Sequence, residues 1–303
     1  MKQFLYLIWW FFQVKFLGKR KPLQSVIFVN NKCNLNCRHC WVDKESAFNR
    51  SFEDIKSDLE YSYALGSRFV DFEGGEPTLW HDESGLKNIN DLINLAKEIG
   101  FYTCTVTTNA KEPFEWIKAD FIWVSLDGIE KYHDAIRGEG AFDKLVKNVE
   151  LYGKSTGKRL SANMTINSVN EKSVEQTVKF IAGNKYLNSI SLNFYIPFNG
   201  DNTLCVSDKE QIINEIIEMK KRGLPITNTF CGLKELKKAQ NGNFCSVTNF
   251  ITPDGFKHET CPGKELDMCE FCGYGMAAEM KCLYNFNPET ILSGIKLRLF
   301  KEF

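Results

Sequence analysis

The sequence predicts an α/β protein, namely a partial (β/α)6 barrel similar to an incomplete TIM barrel, with a small Cys-rich C-terminal extension that contains a β-hairpin. From residue 25 onward, short β-rich runs alternate with helix-period segments, and parallel neighbouring strands need such crossover connections. Six strand–helix units are too few to close an eight-stranded barrel, so we expect an open one. After Gly223 the alternation ends and cysteines accumulate.

Three regions follow from this pattern: an apolar and basic N-terminal helix at 1–22, a barrel core at 23–223 and a Cys-rich extension at 224–303. The predicted strands are 25–29, 68–72, 101–107, 121–126, 160–166 and 189–195. The predicted helices are 53–65, 87–99, 112–117, 142–152, 173–182 and 208–221. Residues 226–282 are expected to be loop-rich, with a hairpin turn at Pro253-Asp254-Gly255 between 249–252 and 256–258, and an amphipathic, basic helix at 288–301 ends the chain.

The composition is that of an ordinary globular enzyme. The 38 basic and 38 acidic residues balance, which indicates neither a nucleic-acid-binding surface nor an acidic tail. Apolar residues make up 43% of the chain, and 24 Phe, 10 Tyr and 6 Trp argue against disorder. Eleven cysteines, clustered in two places, are typical of metal binding in a reduced intracellular protein. We therefore expect a cytoplasmic metalloprotein.

The N-terminal segment combines an apolar run with a basic cluster. Residues 4–17 form 14 positions interrupted by Gln13 and Lys15, whereas a membrane span needs about 18–20. The basic cluster at 19–21 follows the apolar run and no small-residue cleavage site is present, so a signal peptide is not expected. Two alternatives remain: a helix in the headgroup region, peripheral on the inner face of the membrane, or an apolar helix that caps the bottom of the barrel.

Three cysteines follow the first predicted strand, in Cys33-Asn-Leu-Asn-Cys37-Arg-His39-Cys40. Three thiolates at this spacing suit three corners of a [4Fe–4S] cluster, and the absence of a fourth protein ligand leaves one iron open. A structural zinc site that adds His39 is the alternative, although adjacent His39 and Cys40 would have to reach one ion. The spacing resembles the CxxxCxΦC signature of the radical S-adenosylmethionine (SAM) superfamily, with His39 in the aromatic place.

Further segments, up to about residue 199, match this superfamily in order. Gly74-Gly75-Glu76-Pro77 resembles the GGEP loop that holds the amino group of SAM, and Glu76 can accept a hydrogen bond from an ammonium group. Arg137 resembles an arginine that pairs with the SAM carboxylate, which suits a planar guanidinium. The resemblance also implies SAM contacts for His39, Asn109, Ser125, Asp127 and Asn163. The order of these motifs at strand C-terminal ends is that of a barrel active site.

The resemblance implies a specific chemistry. SAM would chelate the open iron, and electron transfer would give methionine and a 5′-deoxyadenosyl radical that abstracts hydrogen from a substrate or adds to it. It also implies an anaerobic setting and an electron donor such as flavodoxin or ferredoxin. The cofactor supplies the reactive chemistry while the protein orients the reactants and excludes water, so no side chain is assigned as catalytic.

The tail carries a second set of cysteines. Cys245 and Cys261 flank the predicted hairpin, and Cys269-Glu-Phe-Cys272 follows. This arrangement resembles the SPASM and twitch extensions of radical SAM enzymes, which implies a second, auxiliary [4Fe–4S] cluster, although the longer SPASM series is absent. Cys282 is expected as an alternative ligand, and Cys231 as an ordinary thiol. A tetrahedral structural zinc site is the alternative.

Three hypotheses concern the substrate. A lipid or isoprenoid modified at the membrane surface is supported by the aromatic and basic N-terminal segment, and Cys272-Gly273-Tyr274 adds a weak likeness to adenosylhopane-synthase-type proteins. Maturation of a ribosomal peptide, or modification of a soluble small molecule, is supported by the tail cysteines, although 24 residues before the first strand are too few for a fused leader-recognition domain. The ordered SAM motifs disfavour a non-catalytic iron–sulfur or zinc scaffold.

Overall fold

The computed structural model describes residues 2–238 and 243–300 of the chain. The strands are β1 (Gln24–Phe28), β2 (Phe69–Glu73), β3 (Thr103–Thr108), β4 (Phe121–Ser125), β5 (Leu160–Ile166), β6 (Leu187–Phe194), β7 (Thr248–Ile251) and β8 (Lys257–His258). The α-helices are α1 (Lys2–Lys15), α2 (Phe52–Leu65), α3 (Ile89–Ile99), α4 (Lys131–Arg137), α5 (Ala141–Thr156), α6 (Val174–Gly183), α7 (Lys209–Lys221), α8 (Phe230–Leu236), α9 (Pro262–Glu265), α10 (Gly275–Tyr284) and α11 (Pro288–Ile295).

The strands form one sheet in the order β6-β5-β4-β3-β2-β1-β7-β8. β1 to β6 are parallel and sequential neighbours, which confirms the predicted open, partial barrel. β7 pairs in parallel with the other side of β1, beginning with Gln24 opposite Thr248. β8 then returns antiparallel after Pro253-Asp254-Gly255, where Gly255 has a φ of 83°, so the predicted hairpin is confirmed as well.

The sheet separates an apolar outer layer from a more polar barrel interior. In β2, Val70 and Phe72 are buried in the main core, together with Ile55 of α2 and Leu92 of α3. Burial of an apolar side chain of this size stabilises the fold by about 1.5–3 kcal/mol. Alternate residues of a strand point to opposite faces, so Asp71 between them points inward. The outer layer thus fixes the strands, and the interior is left to polar groups.

α1 closes the N-terminal end of the barrel. Trp10 is 2% exposed and packs with Leu23, Phe69 and Val247, and its indole N–H donates to the Lys21 carbonyl at 3.0 Å. Of the two predicted arrangements of this segment, the structure shows the helix that caps the bottom of the barrel. The other side of this segment is open to solvent and forms an exposed apolar face that consists of Leu5, Ile8, Trp9, Phe12, Phe16 and Leu17. Among the described helices, none combines the length and apolar character that a membrane span requires.

The extension covers the outer edge of β6. The side chain of Asn228 bonds both backbone groups of Leu192, accepting from its N–H at 2.8 Å and donating to its carbonyl at 2.9 Å. Farther along, Phe194 N–H donates to the Gly273 carbonyl at 3.0 Å. A Cβ at Gly273 would lie 2.0 Å from the Phe194 carbonyl oxygen, so this close approach requires glycine. The extension is therefore hydrogen-bonded to the barrel along its last strand.

Some predicted elements were wrong. Residues 112–117 form a turn instead of a helix, because Pro113 removes a backbone donor from a short segment and the buried Phe114 anchors it to the core. The segment 226–282 contains α8 and α10, and α4 occupies a place expected to be a loop. Short helices such as these depend on tertiary packing, so their own periodicity is weak. The last predicted helix, 288–301, is α11 followed by a π-helical turn at Lys296–Phe300, and residue 301 lies outside the described residues.

Candidate active site

The loop between β1 and α2 carries the three predicted cluster cysteines. Cys33, Cys37 and Cys40 are partly exposed and line the same cavity. Backbone bonds fix the loop, from Cys40 N–H to the Cys37 carbonyl at 3.1 Å and from Arg38 N–H to the Ile136 carbonyl of α4 at 2.9 Å. The three thiols therefore face one common space inside the mouth of the barrel.

The surroundings of these thiols fit an anionic iron–sulfur cluster. Asn109 Nδ2 lies 3.8 Å from Cys33 Sγ, and Arg137 Nη1 lies 3.9 Å from Cys37 Sγ, so a hydrogen-bond donor faces two of the three sulfurs. Burial raises the pKa of both thiols, and the positive charges of Lys44 and Arg137 oppose that rise. Within the described residues, no three His, Cys, Asp or Glu side chains converge as closely as a single metal ion requires.

Two glycines press the loop after β2 against the chain that leaves β1. A Cβ at Gly75 would lie 2.3 Å from the Lys32 carbonyl oxygen, and a Cβ at Gly74 would lie 2.3 Å from Asn30 Oδ1. Real Cβ atoms do not come so close to other heavy atoms, so the loops can meet in this way only with glycine at both positions. The GGEP loop and the cluster loop are thereby held together.

Three hydrogen bonds hold Glu76 on the wall of the same cavity. Its carboxylate is 1% exposed and accepts bonds from Thr108 Oγ1 at 2.7 Å, from Asn109 N–H at 2.7 Å and from Thr78 N–H at 3.2 Å. Burial raises the pKa of Glu76, and these bonds oppose the rise. The carboxylate therefore anchors the end of β3 and positions Asn109 beside the cluster loop. Pro77 begins the short 3-10 turn that follows.

A buried ion pair lies beyond the end of β4. Asp127 is fully buried, and it accepts from Arg137 Nε at 2.6 Å and from Thr165 N–H at 2.9 Å. His39 Nε2 lies 3.7 Å from the same carboxylate, and His133 Nδ1 accepts from Asp127 N–H at 3.2 Å. Burial alone would raise the pKa of Asp127, but the charge of Arg137 and the neighbouring histidines hold it below its usual range. The group links the cluster loop to β4, α4 and β5.

Ser125 and Asn163 line the interior farther along the sheet. Asn163 Oδ1 accepts from Asn193 Nδ2 at 2.8 Å, and Asn193 Oδ1 accepts from Gly275 N–H at 2.8 Å. The sequence analysis did not select Asn193. Along β6, polar residues that face inward alternate with buried apolar residues. This period of two is the pattern that could have identified Asn193.

The four tail cysteines lie in the extension within electrostatic range of one another. Cys245 and Cys261 belong to one apolar cluster, and Cys261 also lines the cavity. Burial, followed by the charges of the other three thiols, raises the pKa of Cys245 to about 11. The four thiols are therefore close enough to interact electrostatically, although among the described residues they do not converge as a single metal ion requires.

Cys282 does not join these four thiols. It is fully buried and forms a disulfide with Cys231, which connects α10 to α8. The predictions that Cys282 is an alternative ligand and that Cys231 is an ordinary thiol were therefore wrong. The two cysteines are 51 positions apart, and only the packing of two unpredicted helices brings them together.

A cavity of about 1150 Å³ connects these groups. It begins at the three cluster thiols and ends among apolar side chains of α1 and α11, such as Leu7, Phe11 and Ile295. Between these ends it is lined by inward-facing side chains, which are Asp71, Glu73, Thr107, Trp123, Ser125, Asn163, Thr165, Ser191 and Asn193. Asp71 and Glu73 were not among the predicted site residues, although two carboxylates inside an otherwise apolar strand are an unusual pattern.

Comparison with known proteins gives matches in sequence. The model of the radical SAM superfamily matches residues 27–181. Fe-coproporphyrin III synthase of Methanosarcina barkeri is 28% identical over 172 residues, which are 53% of this chain and 41% of that protein. The 7,8-dihydro-6-hydroxymethylpterin dimethyltransferase of Methanocaldococcus jannaschii is 27% identical over 183 residues, 55% of this chain and 35% of that protein. The chain spans less than half the length of these relatives.

Solved structures share the fold. Streptococcus suis SuiB bound to S-adenosylmethionine superposes with a TM-score of 0.63 at 19% identity, covering 93% of this chain and 68% of that one. The enzyme anSMEcpe with bound AdoMet also superposes with a TM-score of 0.63 at 19% identity, covering 91% of this chain and 83% of that one. The family model matches just over half of the 303 residues, and the three loop thiols, the glycine loop and the open parallel barrel agree with it. The chain therefore belongs to the radical SAM superfamily of enzymes.

Proposed function

We propose that this enzyme cleaves SAM reductively and modifies an organic substrate held in the barrel cavity. The observation that carries the proposal is that the three cluster thiols, the GGEP loop and Arg137 line one cavity. When bound at these thiols, a [4Fe–4S] cluster supplies the electron that splits SAM into methionine and a 5′-deoxyadenosyl radical, which abstracts a hydrogen atom from the substrate or adds to a C=C bond.

The chain's own residues orient SAM and exclude water. Arg137 retains N–H groups beyond the one bonded to Asp127, and a planar guanidinium engages both oxygens of a carboxylate, so we assign it to the SAM carboxylate. Gly74 and Gly75 allow the backbone to approach the ligand closely. Ser125 and Asn163 offer polar groups on the cavity wall. The closed N-terminal end of the barrel limits the access of water to the radical.

The test is SAM cleavage by the anaerobically reconstituted enzyme, with dithionite or reduced flavodoxin as the electron donor and with 5′-deoxyadenosine as the measured product. Cys37→Ala should abolish cleavage because it removes one of three cluster ligands. The matched control is Cys205→Ala, at a partly exposed thiol outside the cavity lining, which should retain cleavage. Cleavage by the Cys37→Ala variant at the wild-type rate would contradict the proposal.

For the substrate, we propose a lipid or isoprenoid taken up at a membrane surface. Support comes from the exposed apolar face, which is followed directly by the basic residues 19–21. Apolar side chains beside cationic ones suit the boundary between acyl chains and anionic headgroups. The same helix lines the apolar end of the cavity through Leu7 and Phe11. The apolar end of the cavity therefore suits the hydrocarbon part of such a substrate.

Flotation with phosphatidylcholine–phosphatidylglycerol vesicles tests this substrate class. We expect the wild type to float and Trp9→Ser with Phe12→Ser to remain in solution, because these side chains are 55% and 42% exposed on the apolar face. The control is Trp116→Ser, which changes a 39% exposed tryptophan elsewhere on the molecule. If the wild type does not float, membrane uptake is wrong.

The tail favours a second candidate, the maturation of a peptide or a soluble small molecule. Cys245 interacts electrostatically with Cys261, Cys269 and Cys272, and Cys261 lines the cavity, which supports an auxiliary [4Fe–4S] cluster, with a structural zinc ion as the competing occupant. A variant with Cys33, Cys37 and Cys40 changed to Ala separates these occupants by its iron and zinc content. Retained iron supports an auxiliary cluster, whereas loss of all iron with retention of zinc contradicts it.

A further inference from the structure

Two carboxylates stand on the cavity wall in the middle of the barrel. They belong to β2, where alternate residues share a face, so that Asp71 and Glu73 point inward while Phe72 is buried outside. Both side chains line the cavity, and Glu73 directly precedes Gly74 of the GGEP loop. The pair therefore lies between the cluster thiols and the apolar end of the cavity.

Neither carboxylate has a cationic partner within 4.0 Å in the part of the chain that the structure describes. Asp71 is 7% exposed and accepts only from the Thr107 hydroxyl, at 3.2 and 3.3 Å. The Glu73 carboxylate has no hydrogen bond to another described residue. Arg298 attracts Asp71 from a distance, but its guanidinium donates to Gln24 Oε1 at 2.6 Å and lies 4.2 Å from the ring centre of Phe69. One guanidinium, which makes no ion pair within 4.0 Å with a described residue, therefore faces two carboxylates, and buried negative charge without a paired cation is costly.

Tyr274 faces the two carboxylates from the extension. Its side chain lines the same cavity, and its ring packs edge-on against Phe250 at 6.0 Å. The close contact of Gly273 with the Phe194 carbonyl holds this segment against β6 and so fixes where Tyr274 enters the barrel. Its hydroxyl makes no hydrogen bond to another described residue. An aromatic ring and two carboxylates on one cavity wall form surroundings that organic cations prefer.

We propose that Asp71, Glu73 and Tyr274 form a substrate subsite, the mid-barrel subsite, that binds a protonated amino or guanidinium group. This inference rests on the proposed function, since it names the chemical class of the substrate in the same cavity. An amine-bearing lipid and a lysine or arginine side chain of a peptide share this chemistry. In both cases the carbon beside the cationic group lies next to the GGEP loop.

Binding to the reconstituted holoenzyme with SAM and without reductant tests the subsite. The probes are dodecylammonium, dodecanol of equal chain length and N-acetyl-lysine methylamide. The affinity of the holoenzyme for each probe is measured by calorimetry. At least one cation should bind ten or more times as tightly as dodecanol, as estimated for a charge-assisted contact. Glu73→Gln and Asp71→Asn should each weaken that cation about tenfold or more. The control Glu98→Gln, an exposed residue of α3, should leave its affinity unchanged.

The outcomes separate the sources of the ligand. Tight binding of dodecylammonium alone indicates a lipid amine, and tight binding of the lysine derivative alone indicates a peptide. If neither cation binds more tightly than dodecanol, or if Glu73→Gln keeps the wild-type affinity for the cation that does, the subsite is overturned. Because no reductant is present, these results do not depend on SAM cleavage, which the Cys37→Ala comparison tests separately.

The pH dependence of binding gives a second readout. Burial raises the pKa of Glu73 to about 7, and burial followed by the charge of Glu73 raises the pKa of Asp71. The other groups that face Glu73 are Tyr274 of the extension and, through Asp71, Thr107 of β3 and Arg298. Dodecylammonium stays protonated, so acidification below pH 7 should weaken its binding by up to about tenfold per pH unit as Glu73 is protonated. The Glu73→Gln variant should lose this part of the dependence.

Discussion

Replacing Asp127 by Asn tests whether the buried ion pair stabilises the site. The substitution keeps the shape of the side chain and an oxygen for Thr165 N–H, but it removes the charge that faces Arg137 Nε at 2.6 Å. Asp127 is fully buried and Arg137 is 9% exposed, so solvent cannot replace the lost partner. Removing one partner of a buried pair destabilises a protein by about 3–5 kcal/mol, and we expect a loss of this size.

The free energy of unfolding would be measured by urea titration at pH 7 under anaerobic conditions, with circular dichroism as the signal. Asp143→Asn, at an exposed position in the first turn of α5, is the control and should change it by at most about 1 kcal/mol. Adding Arg137→Met to Asp127→Asn should restore part of the stability, because no unpaired charge remains buried. A single-variant loss below about 1 kcal/mol, or a double variant no more stable than Asp127→Asn, would refute the reasoning.

Acid should weaken the same pair. The pKa of Asp127 in the folded protein lies below the unfolded value of about 3.9. Its contribution to stability is therefore complete above the unfolded pKa and is lost as the pH falls through the folded pKa. In unfolding experiments between pH 5 and pH 2, the wild type should lose more stability than Asp127→Asn, and parallel curves would count against the pair.

Two further comparisons test packing. Gly75→Ala should lower the free energy of unfolding by about 1–3 kcal/mol and weaken SAM binding, because the added Cβ would overlap a backbone carbonyl. The control Gly183→Ala has open space around it and should be neutral or slightly stabilising. Equal effects of the two substitutions in urea denaturation would contradict the close contact at Gly75. Trp10→Ala should lower the free energy of unfolding by about 3–5 kcal/mol, because Trp10 is buried. Trp9→Ala, at an exposed position, should change it by no more than about 0.5 kcal/mol. Urea titration of both variants checks the orientation of α1.

The sequence was informative where a pattern is local. The β-rich runs identified β1 to β6 within a few residues of their observed ends, since a buried strand and its crossover helix leave a clear period in the chain. The hairpin at Pro253-Asp254-Gly255 was predictable for the same reason, because a turn with positive φ at glycine depends on neighbouring residues alone. The spacing of Cys33, Cys37 and Cys40 is likewise a local pattern, and all three thiols line one cavity.

Features created by distant packing were not predictable. The Cys231–Cys282 disulfide depends on the contact between α8 and α10, two short helices with little signal of their own. The role of Glu76 depends on β3, which supplies two donors 32 and 33 positions away. A charged residue is usually expected at the protein surface, so the inward position of Asp71 became evident only from the cavity that β2 faces.

The hydrogen bonds along β6 have a consequence for the solubility of the enzyme. An open barrel ends in a strand whose free backbone groups can recruit a strand from another molecule, which is a route to aggregation. Here Asn228 and Gly273 occupy those groups on Leu192 and Phe194, while the opposite border of the sheet is the two-residue strand β8, too short to act as a template. The Cys-rich extension therefore also protects the barrel from self-association, and a protein shortened to residues 1–223 should aggregate through β6.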